Sequence, residues 1–292
     1  MFEGVLPALI TPFSKDNSID ENGFRENVRF VEAGGISGIV PCGTTGESAT
    51  LSTAEHEQLI DISVDCANVS VVVGTGSNNT AEAVELTKYA DDAGVDGALL
   101  ISPYYNKPNN AGLIKHFKII AESVDIPILL YNVPTRTSQD MPLEVILELS
   151  KVDNIVGIKE ASGNLDKITR IIENTADENF SVISGDDGLT LPILTLGGSA
   201  VISVVANIVP QKMVDLYNAA KNYDITTARN IHYELAPLIR ALFNETNPIP
   251  VKRAVGLIGL ASGHLRLPLA PISSENERIL IDALKDIGAL HD

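Results

Sequence analysis

An α/β fold, a closed (β/α)8 barrel with a C-terminal helical appendix, is predicted by three features of the 292-residue sequence. Eight short apolar runs alternate with helix-like segments through the first two thirds of the chain. The runs are continuous rather than alternating in polarity, which is typical of parallel strands that are covered on both faces. After about residue 206 only helical patterns remain, so we expect a catalytic barrel over 1–224 and a helical domain over 225–292.

Helix starts between the predicted strands are marked by capping residues. Ser52 with Glu55 fits a capping box, and Asn79 with Glu82 is a second candidate. A doubly wound open sheet is the competing fold, but residues 11–14 (TPFS) do not form the glycine-rich fingerprint expected after its first strand. The predicted strands cover 5–10, 38–41, 69–73, 97–101, 126–131, 155–159, 181–184 and 200–204. We interpret a helical pattern over 210–222 as the eighth barrel helix, and the predicted helices of the appendix cover 226–242, 250–260 and 274–288.

Composition and charge exclude several classes of function. The chain is 45% hydrophobic and 20% charged, as expected for a globular protein with a large core. Its net charge of −17, without a basic cluster, argues against nucleic acid binding, and no apolar run is long enough for a membrane span. The N-terminus lacks the basic region of a signal peptide, so we expect a cytoplasmic protein. The scattered histidines and two cysteines show no metal-ligand spacing, and we expect neither a metal nor a cofactor.

Lys159 is the main candidate for catalysis. It ends the apolar run 155–158 and would stand at the C-terminal end of the sixth strand, the end of a barrel at which active sites form. A lysine held in such a buried place loses its proton readily and attacks a carbonyl carbon. A lysine that ends a strand and extends into water is the alternative that this segment alone leaves open.

Polar side chains at the other predicted strand ends extend the candidate site. Loop 43–48 has glycines that let the backbone approach an anion, and Thr44 and Thr45 offer hydroxyl and N–H donors, although a plain turn is its alternative. Tyr131 places a phenol one strand away from the lysine, either to transfer protons or as a structural tyrosine. Arg136 has the planar guanidinium that binds a carboxylate, although a surface arginine is the default interpretation.

These motifs together resemble the dihydrodipicolinate synthase family of lysine biosynthesis. The resemblance runs nearly end to end, and several long motifs in the right order are far more specific than any one of them. They are GTTGESATL (43–51), SPYYNKP (102–108), YNVPTRT (131–137), GIKEASGN (157–164), SGDD (184–187), VISVVAN (201–207), NPIPVK (247–252) and LRLPL (265–269). The resemblance implies a lyase on a TIM barrel that condenses pyruvate with L-aspartate 4-semialdehyde through a Schiff base, in the diaminopimelate pathway.

The resemblance also implies a role for each residue of the pyruvate pocket. Lys159 would form an imine with pyruvate, and Thr44 and Thr45 would hold the pyruvate carboxylate. Ile202 would place its backbone carbonyl near the imine, and Gly185 would help to shape the pocket.

Proton transfer and the choice of the second substrate follow from the same resemblance. Tyr131 would move protons and would be linked through Thr44 to Tyr105 of a neighbouring subunit. Arg136 would bind the carboxylate of the semialdehyde. N-acetylneuraminate lyase and the keto-deoxy-sugar-acid aldolases of the same superfamily usually lack that arginine, and they are the alternative function. A barrel that only binds a small acid is a third hypothesis, which the lysine with its proton relay argues against.

Assembly and regulation are further implications of the resemblance. The usual family assembly is a homotetramer, a dimer of tight dimers. L-lysine inhibits some members at the dimer interface, and Thr53 replaces a histidine found there in some of them, so we expect a lysine site that is present but weaker. The matching positions are Ser48, Ala49, His56, Asn78, Glu82 and Tyr104.

Overall fold

The computed structural model describes residues 2–291 and contains one barrel of eight parallel strands, so the predicted fold class is confirmed. Neighbouring strands follow the order β1-β8-β7-β6-β5-β4-β3-β2 around the barrel. The predicted strand ends differ from the observed ones by no more than about three residues, which is usual for element boundaries. The strands are β1 (Gly4–Pro7), β2 (Gly38–Ile39), β3 (Ser70–Gly74), β4 (Gly97–Ile101), β5 (Ile128–Asn132), β6 (Ile155–Glu160), β7 (Ser181–Ser184) and β8 (Ala200–Ser203).

The barrel closes between β1 and β2 through residues that directly follow the two strands. Ala8 forms a parallel bridge with Val40, and the N–H of Leu9 donates to the Val40 carbonyl at 3.0 Å. The predicted strand to residue 10 is too long, because the Ile10 N–H instead donates to the side-chain oxygen of Asn207 at 3.3 Å. A side chain that follows β8 therefore accepts the hydrogen bond of this backbone N–H, and the backbone ladder of β1 ends before it.

Twelve α-helices lie within the described residues, and the predicted capping box is confirmed. The Ser52 hydroxyl accepts from the Glu55 N–H, and the Glu55 carboxylate accepts from the Ser52 N–H at 2.9 Å. The helices are α1 (Glu21–Ala33), α2 (Thr53–Cys66), α3 (Thr80–Ala93), α4 (Asn110–Ala121), α5 (Pro134–Thr137), α6 (Leu143–Leu149), α7 (Leu165–Asn174), α8 (Thr190–Thr195), α9 (Pro210–Lys221), α10 (Ile225–Leu242), α11 (Ile249–Leu257) and α12 (Ser274–Asp286). Across residues 2–291, none of these helices has the length and apolar character needed to cross a membrane.

Apolar side chains form one cluster inside the barrel and two outside it. The inner cluster contains Tyr131 of β5 and Ile202 of β8, so both predicted site residues face the barrel interior. Helices α10, α11 and α12 bury Leu238, Val251 and Leu280 in the same outer cluster as side chains of α1 and α2. The C-terminal helical segment therefore packs directly on the barrel, where its residues can reach the ends of the strands.

Candidate active site

Lys159 and Tyr131 lie side by side at the C-terminal ends of β6 and β5. The two residues are register partners in the parallel ladder, and the Lys159 Nζ lies 4.3 Å from the centroid of the Tyr131 ring. Lys159 is only 7% exposed, so the alternative of a strand-end lysine that extends into water is wrong. An amine held against an aromatic face in a largely apolar barrel is well placed to attack a carbonyl group.

Gly185, just after β7, leaves the space that the Lys159 side chain occupies. A Cβ atom at position 185 would lie 3.0 Å from the Lys159 Cγ, 3.1 Å from its Cε and 2.9 Å from the Ala161 Cβ. Such contacts are tighter than real Cβ atoms tolerate without movement of their neighbours. Any larger residue at this position would therefore push against the lysine that carries the candidate chemistry.

Loop 43–50 follows β2 and brings Thr44 and Thr45 to the site. Thr45 is buried, and its hydroxyl accepts a hydrogen bond from the side-chain amide of Asn247 at 2.9 Å. Asn247 also accepts, at its backbone carbonyl, a hydrogen bond of 2.7 Å from the Arg136 guanidinium. Thr11 fixes the loop from β1 by donating its hydroxyl proton to the Gly46 carbonyl at 2.7 Å. Residues of the barrel and of the C-terminal segment therefore both hold the loop in place through hydrogen bonds.

A cavity of about 580 Å³ opens over these residues. Its wall includes three predicted site residues: Thr44, Tyr131 and Arg136. Five of the six residues predicted for a lysine site line the same cavity: Ser48, Ala49, His56, Glu82 and Tyr104. The sixth, Asn78, shapes the adjacent turn, because its side-chain oxygen accepts from the Tyr104 N–H at 2.8 Å. The cavity therefore joins part of the predicted active site to the predicted lysine site, whereas Lys159, Thr45, Gly185 and Ile202 are not in its wall.

Charge is distributed unevenly along the cavity wall. Four carboxylates line it, whereas Arg136 is the one arginine or lysine of the wall among the residues that the structure describes. His56 contacts the Gly74 carbonyl through Nε2 at 2.7 Å, and burial lowers the pKa of His56 against the opposing effect of that carbonyl. A neutral His56 adds no charge. The four acidic side chains are Glu47, Glu57, Glu82 and Glu85. Glu47 is already paired with Lys252, so the wall suits a carboxylate near Arg136 and an ammonium near the other three.

Tyr105 does not reach the cavity of its own chain. It is 92% exposed, and it has a left-handed φ of 59° in the loop after β4. Such an exposed aromatic residue in a left-handed backbone conformation is unusual in a folded chain. The structure thus brings Lys159, Tyr131, Thr44, Thr45, Arg136, Gly185 and Ile202 to one barrel end and leaves Tyr105 in solvent.

Asn247 and Lys252 are site residues to which the sequence alone gave no role. Asn247 joins Thr45 to Arg136, and the Lys252 Nζ pairs with Glu47 of loop 43–50 at 2.6 Å. Both belong to the motif NPIPVK (247–252), which follows no strand, so the position of active sites at strand ends does not predict their place. In the part of the chain that the structure describes, no cluster of histidine, cysteine and acidic side chains is suited to a metal ion.

A buried lysine beside a tyrosine at the mouth of a (β/α)8 barrel is the arrangement expected of a Schiff-base lyase of class I. The chain belongs to the dihydrodipicolinate synthetase family, whose model matches residues 1–287. The predicted family and enzyme class are therefore confirmed.

Relatives and solved structures agree with this assignment. The chain is 69% identical over 290 residues to 4-hydroxy-tetrahydrodipicolinate synthase of Methanococcoides burtonii, with 99% of this chain and 100% of the relative covered. The enzyme of the same name from Methanosarcina mazei is 67% identical over 290 residues, with the same coverage. The dihydrodipicolinate synthase of Aquifex aeolicus superposes with a TM-score of 0.96 at 44% identity and covers 100% of both chains. The enzyme of Cyanidioschyzon merolae, solved with lysine bound, has a TM-score of 0.95 at 38% identity over 99% of both chains.

Proposed function

We propose that the protein condenses pyruvate with L-aspartate 4-semialdehyde, the 4-hydroxy-tetrahydrodipicolinate synthase reaction of the diaminopimelate route to lysine. The observation that carries this proposal is the buried Lys159 amine beside Tyr131, a residue that lines the cavity together with Thr44 and Arg136. The names of the relatives that are 69% and 67% identical support the same reaction.

The first half of the mechanism is formation of an imine. The neutral amine of Lys159 attacks the ketone carbon of pyruvate, and loss of water gives a protonated imine. Thr44 and Thr45 hold the pyruvate carboxylate through hydroxyl and backbone N–H groups, which also offsets the repulsion from the acidic wall. The imine then acts as an electron sink, so the pyruvate methyl group loses a proton and an enamine forms.

The second half joins the two substrates. The enamine carbon attacks the aldehyde carbon of aspartate semialdehyde, and the new oxyanion takes a proton from Tyr131. The amino group of the semialdehyde then attacks the imine carbon, closes the ring and releases the Lys159 amine. A phenol has an ordinary pKa near ~10 and needs a hydrogen-bonded partner to exchange protons at neutral pH. Thr44 and a Tyr105 from another subunit form that relay in this proposal.

Trapping with borohydride tests the imine. Incubation with pyruvate followed by reduction should add the pyruvate carbon skeleton to the peptide that contains Lys159. Lys167, which is also buried but paired with Asp140, is the internal control and should stay unmodified. An unmodified Lys159 peptide, or equal labelling of both lysines, would contradict the mechanism.

We also propose a homotetramer built as a dimer of tight dimers. The supporting observation is the exposed Tyr105 next to a cavity that holds the other members of its relay. Leu267 of the LRLPL motif is likewise largely exposed and offers further apolar surface to a partner. Sedimentation of the purified protein at micromolar concentration would reveal a monomer if the proposal is wrong.

Feedback inhibition by L-lysine is the last part of the proposal. Glu82 offers a carboxylate to the lysine ammonium, and His56 and Tyr104 lie on the same cavity wall. The lysine-bound enzyme of Cyanidioschyzon merolae, 38% identical to this chain, supports such a site. Thr53, also on the wall, lacks a ring that would contact the ligand, which makes the proposed affinity weaker. A rate titration with L-lysine that shows no inhibition up to saturating concentrations would rule the site out.

A further inference from the structure

A buried ion pair ties loop 43–50 to the C-terminal segment. Glu47 lies in this loop with a φ of 56°, a left-handed conformation that non-glycine residues seldom adopt. One of its carboxylate oxygens accepts from the Lys252 Nζ at 2.6 Å, and the other accepts from the backbone N–H of Arg266 at 3.0 Å. Both partners belong to motifs, NPIPVK and LRLPL, that the mechanism above does not use.

The surroundings of Lys252 fix this pair from the other side. Its side chain is 2% exposed, and its Nζ also donates to the His264 carbonyl at 2.6 Å. The Nζ lies 4.3 Å from the centroid of the Phe13 ring, and the Arg266 guanidinium lies 4.0 Å from the same centroid. Burial lowers the pKa of Lys252, and the neighbouring Glu47 opposes that effect. Water cannot take the place of either partner without a rearrangement of the loop.

A displacement of Glu47 would also displace Thr44 and Thr45. The Glu47 N–H donates to the Thr44 carbonyl at 3.2 Å, so the two residues belong to one tight turn. The same C-terminal segment holds Thr45 through Asn247 and holds the Thr50 carbonyl through Arg266 at 2.9 Å. The turn and its threonines are thus positioned from residues about 200 positions away in the sequence.

We infer that Glu47 and Lys252 are positioning residues through which the C-terminal helical segment sets the affinity of Thr44 and Thr45 for the carboxylate of an α-keto acid. The inference rests on the proposed function, which assigns that carboxylate to the two threonines. Neither residue touches the reacting atoms, so their contribution is to binding of the keto acid and not to imine chemistry at saturation.

Lys252→Met tests the inference most directly. It leaves the Glu47 carboxylate buried without a cation, and a buried unpaired charge turns toward water and takes its loop along. We expect the pyruvate concentration that gives half-maximal borohydride trapping at Lys159 to rise about tenfold, given how strongly small displacements act in a binding site. The trapped fraction at saturating pyruvate should stay near that of the unchanged protein.

Two companion variants guard against loss of folding and test the role of the charge. Glu47→Gln/Lys252→Met removes both charges together, which a buried site tolerates far better than one unpaired charge. It should fold and still require more pyruvate for half-maximal trapping. Lys252→Arg keeps a cation opposite Glu47 and should recover most of the affinity.

Leu238→Ala supplies the matched control for stability. Leu238 is fully buried on α10 in the C-terminal segment, so this change should lower the melting temperature and leave the half-saturating pyruvate concentration unchanged. An unchanged half-saturation in both Lys252→Met and the double variant overturns the inference, as does an equal shift in Leu238→Ala. Failure of the unchanged protein to trap pyruvate would instead overturn the proposed function, so the two failures are distinct.

Discussion

At the scale of single residues, the proposed function gives Arg136 the choice of the carbonyl compound that the enamine attacks. Arg136→Ala should lower kcat/KM for aspartate semialdehyde by about tenfold to a hundredfold, the range for loss of a hydrogen-bonded charge. Trapping of pyruvate at Lys159 should be unaffected. Arg253→Ala, which removes an arginine from the exposed pair with Glu277, is the matched control and should retain activity. Equal losses of pyruvate trapping and of semialdehyde turnover would mean that Arg136 mainly supports Asn247.

Gly185 carries the second prediction at this scale. Gly185→Ala places a Cβ 3.0 Å from the Lys159 Cγ and should displace the amine, because the packed barrel leaves little room for relief. We expect kcat to fall by about tenfold or more while the melting temperature changes little. Gly188→Ala, in the same loop but in contact with Asp186 and Ile239 instead, should keep kcat near its original value. If both variants behave alike, the contact with Lys159 is not what position 185 provides.

Whether a site residue could be predicted from the sequence depends on how far apart in the sequence the contacting residues lie. Lys159 and Tyr131 were predictable because each ends an apolar run, and the C-terminal ends of barrel strands meet at one rim. The pairs of Asn247 with Thr45 and of Lys252 with Glu47 span 202 and 205 residues. No local pattern encodes such contacts, since they depend on where the C-terminal helices pack.

At the scale of elements, the start of α2 is tied to the C-terminal segment. Glu55 caps the helix with Ser52 and accepts hydrogen bonds from Arg266, one of them 3.0 Å long. The Arg266 hydrogen bond is the first cause that lowers the pKa of Glu55, from 4.5 to about 2, and the bonds from Ser52 add to it. Because the pKa is lower in the folded protein, the stabilisation is complete above about pH 4.5 and is lost as the pH falls towards about 2.

This linkage predicts a difference in acid stability. Between about pH 5 and pH 3, the melting temperature of the unchanged protein should fall more steeply than that of Glu55→Gln, although the variant starts lower at neutral pH. Thermal unfolding followed by circular dichroism measures both slopes. Glu277→Gln, which alters an exposed ion pair, should follow the slope of the unchanged protein. Parallel slopes for Glu55→Gln and the unchanged protein would contradict the prediction.

The ends of helices and strands were predictable where a nearby residue caps them. They were not predictable where the capping side chain is distant in the sequence. The capping box of Ser52 and Glu55 lies within four residues and was found from the sequence. At Asn79 the prediction was only partly correct, since its side chain caps α3 through the Ala81 N–H while Glu82 accepts from the Asn79 amide. The end of β1 was missed because a distant side chain, Asn207, takes the Ile10 N–H.

At the scale of the whole molecule, the proposed relay needs two chains. A mixture of Lys159→Ala and Tyr105→Ala chains tests this, because in a mixed dimer the site with the intact lysine receives Tyr105 from the other chain. Random assembly makes half of the dimers mixed, each with one intact site of two, so co-expression should restore about a quarter of the full activity. Each variant alone should be nearly inactive. No recovery in the mixture would place Tyr105 outside the relay or within its own chain.

The predicted division of the chain at residue 224 falls between α9 and α10, but the parts on either side share a core. Leu238 and Val251 pack in the same cluster as side chains of α1 and α2. Asn247, Pro248 and Pro268 also line the cavity, so the helical segment forms part of the site wall. A helical appendix was predictable from periodicity, whereas its contribution to the site follows from packing that periodicity does not describe.

The cavity of about 580 Å³ has a consequence for the design of inhibitors. Its volume lies in the range of pockets that enclose a drug-sized compound. A compound with an α-keto acid at one end, to react with Lys159 beside Tyr131, and an ammonium at the other, to reach Glu82 on the wall, would link the two proposed sites. The second contact would then form at a high effective concentration, because the linker keeps it within the same enclosure. One molecule would then occupy both the proposed catalytic site and the proposed lysine site, and loss of either contact would weaken binding without abolishing it.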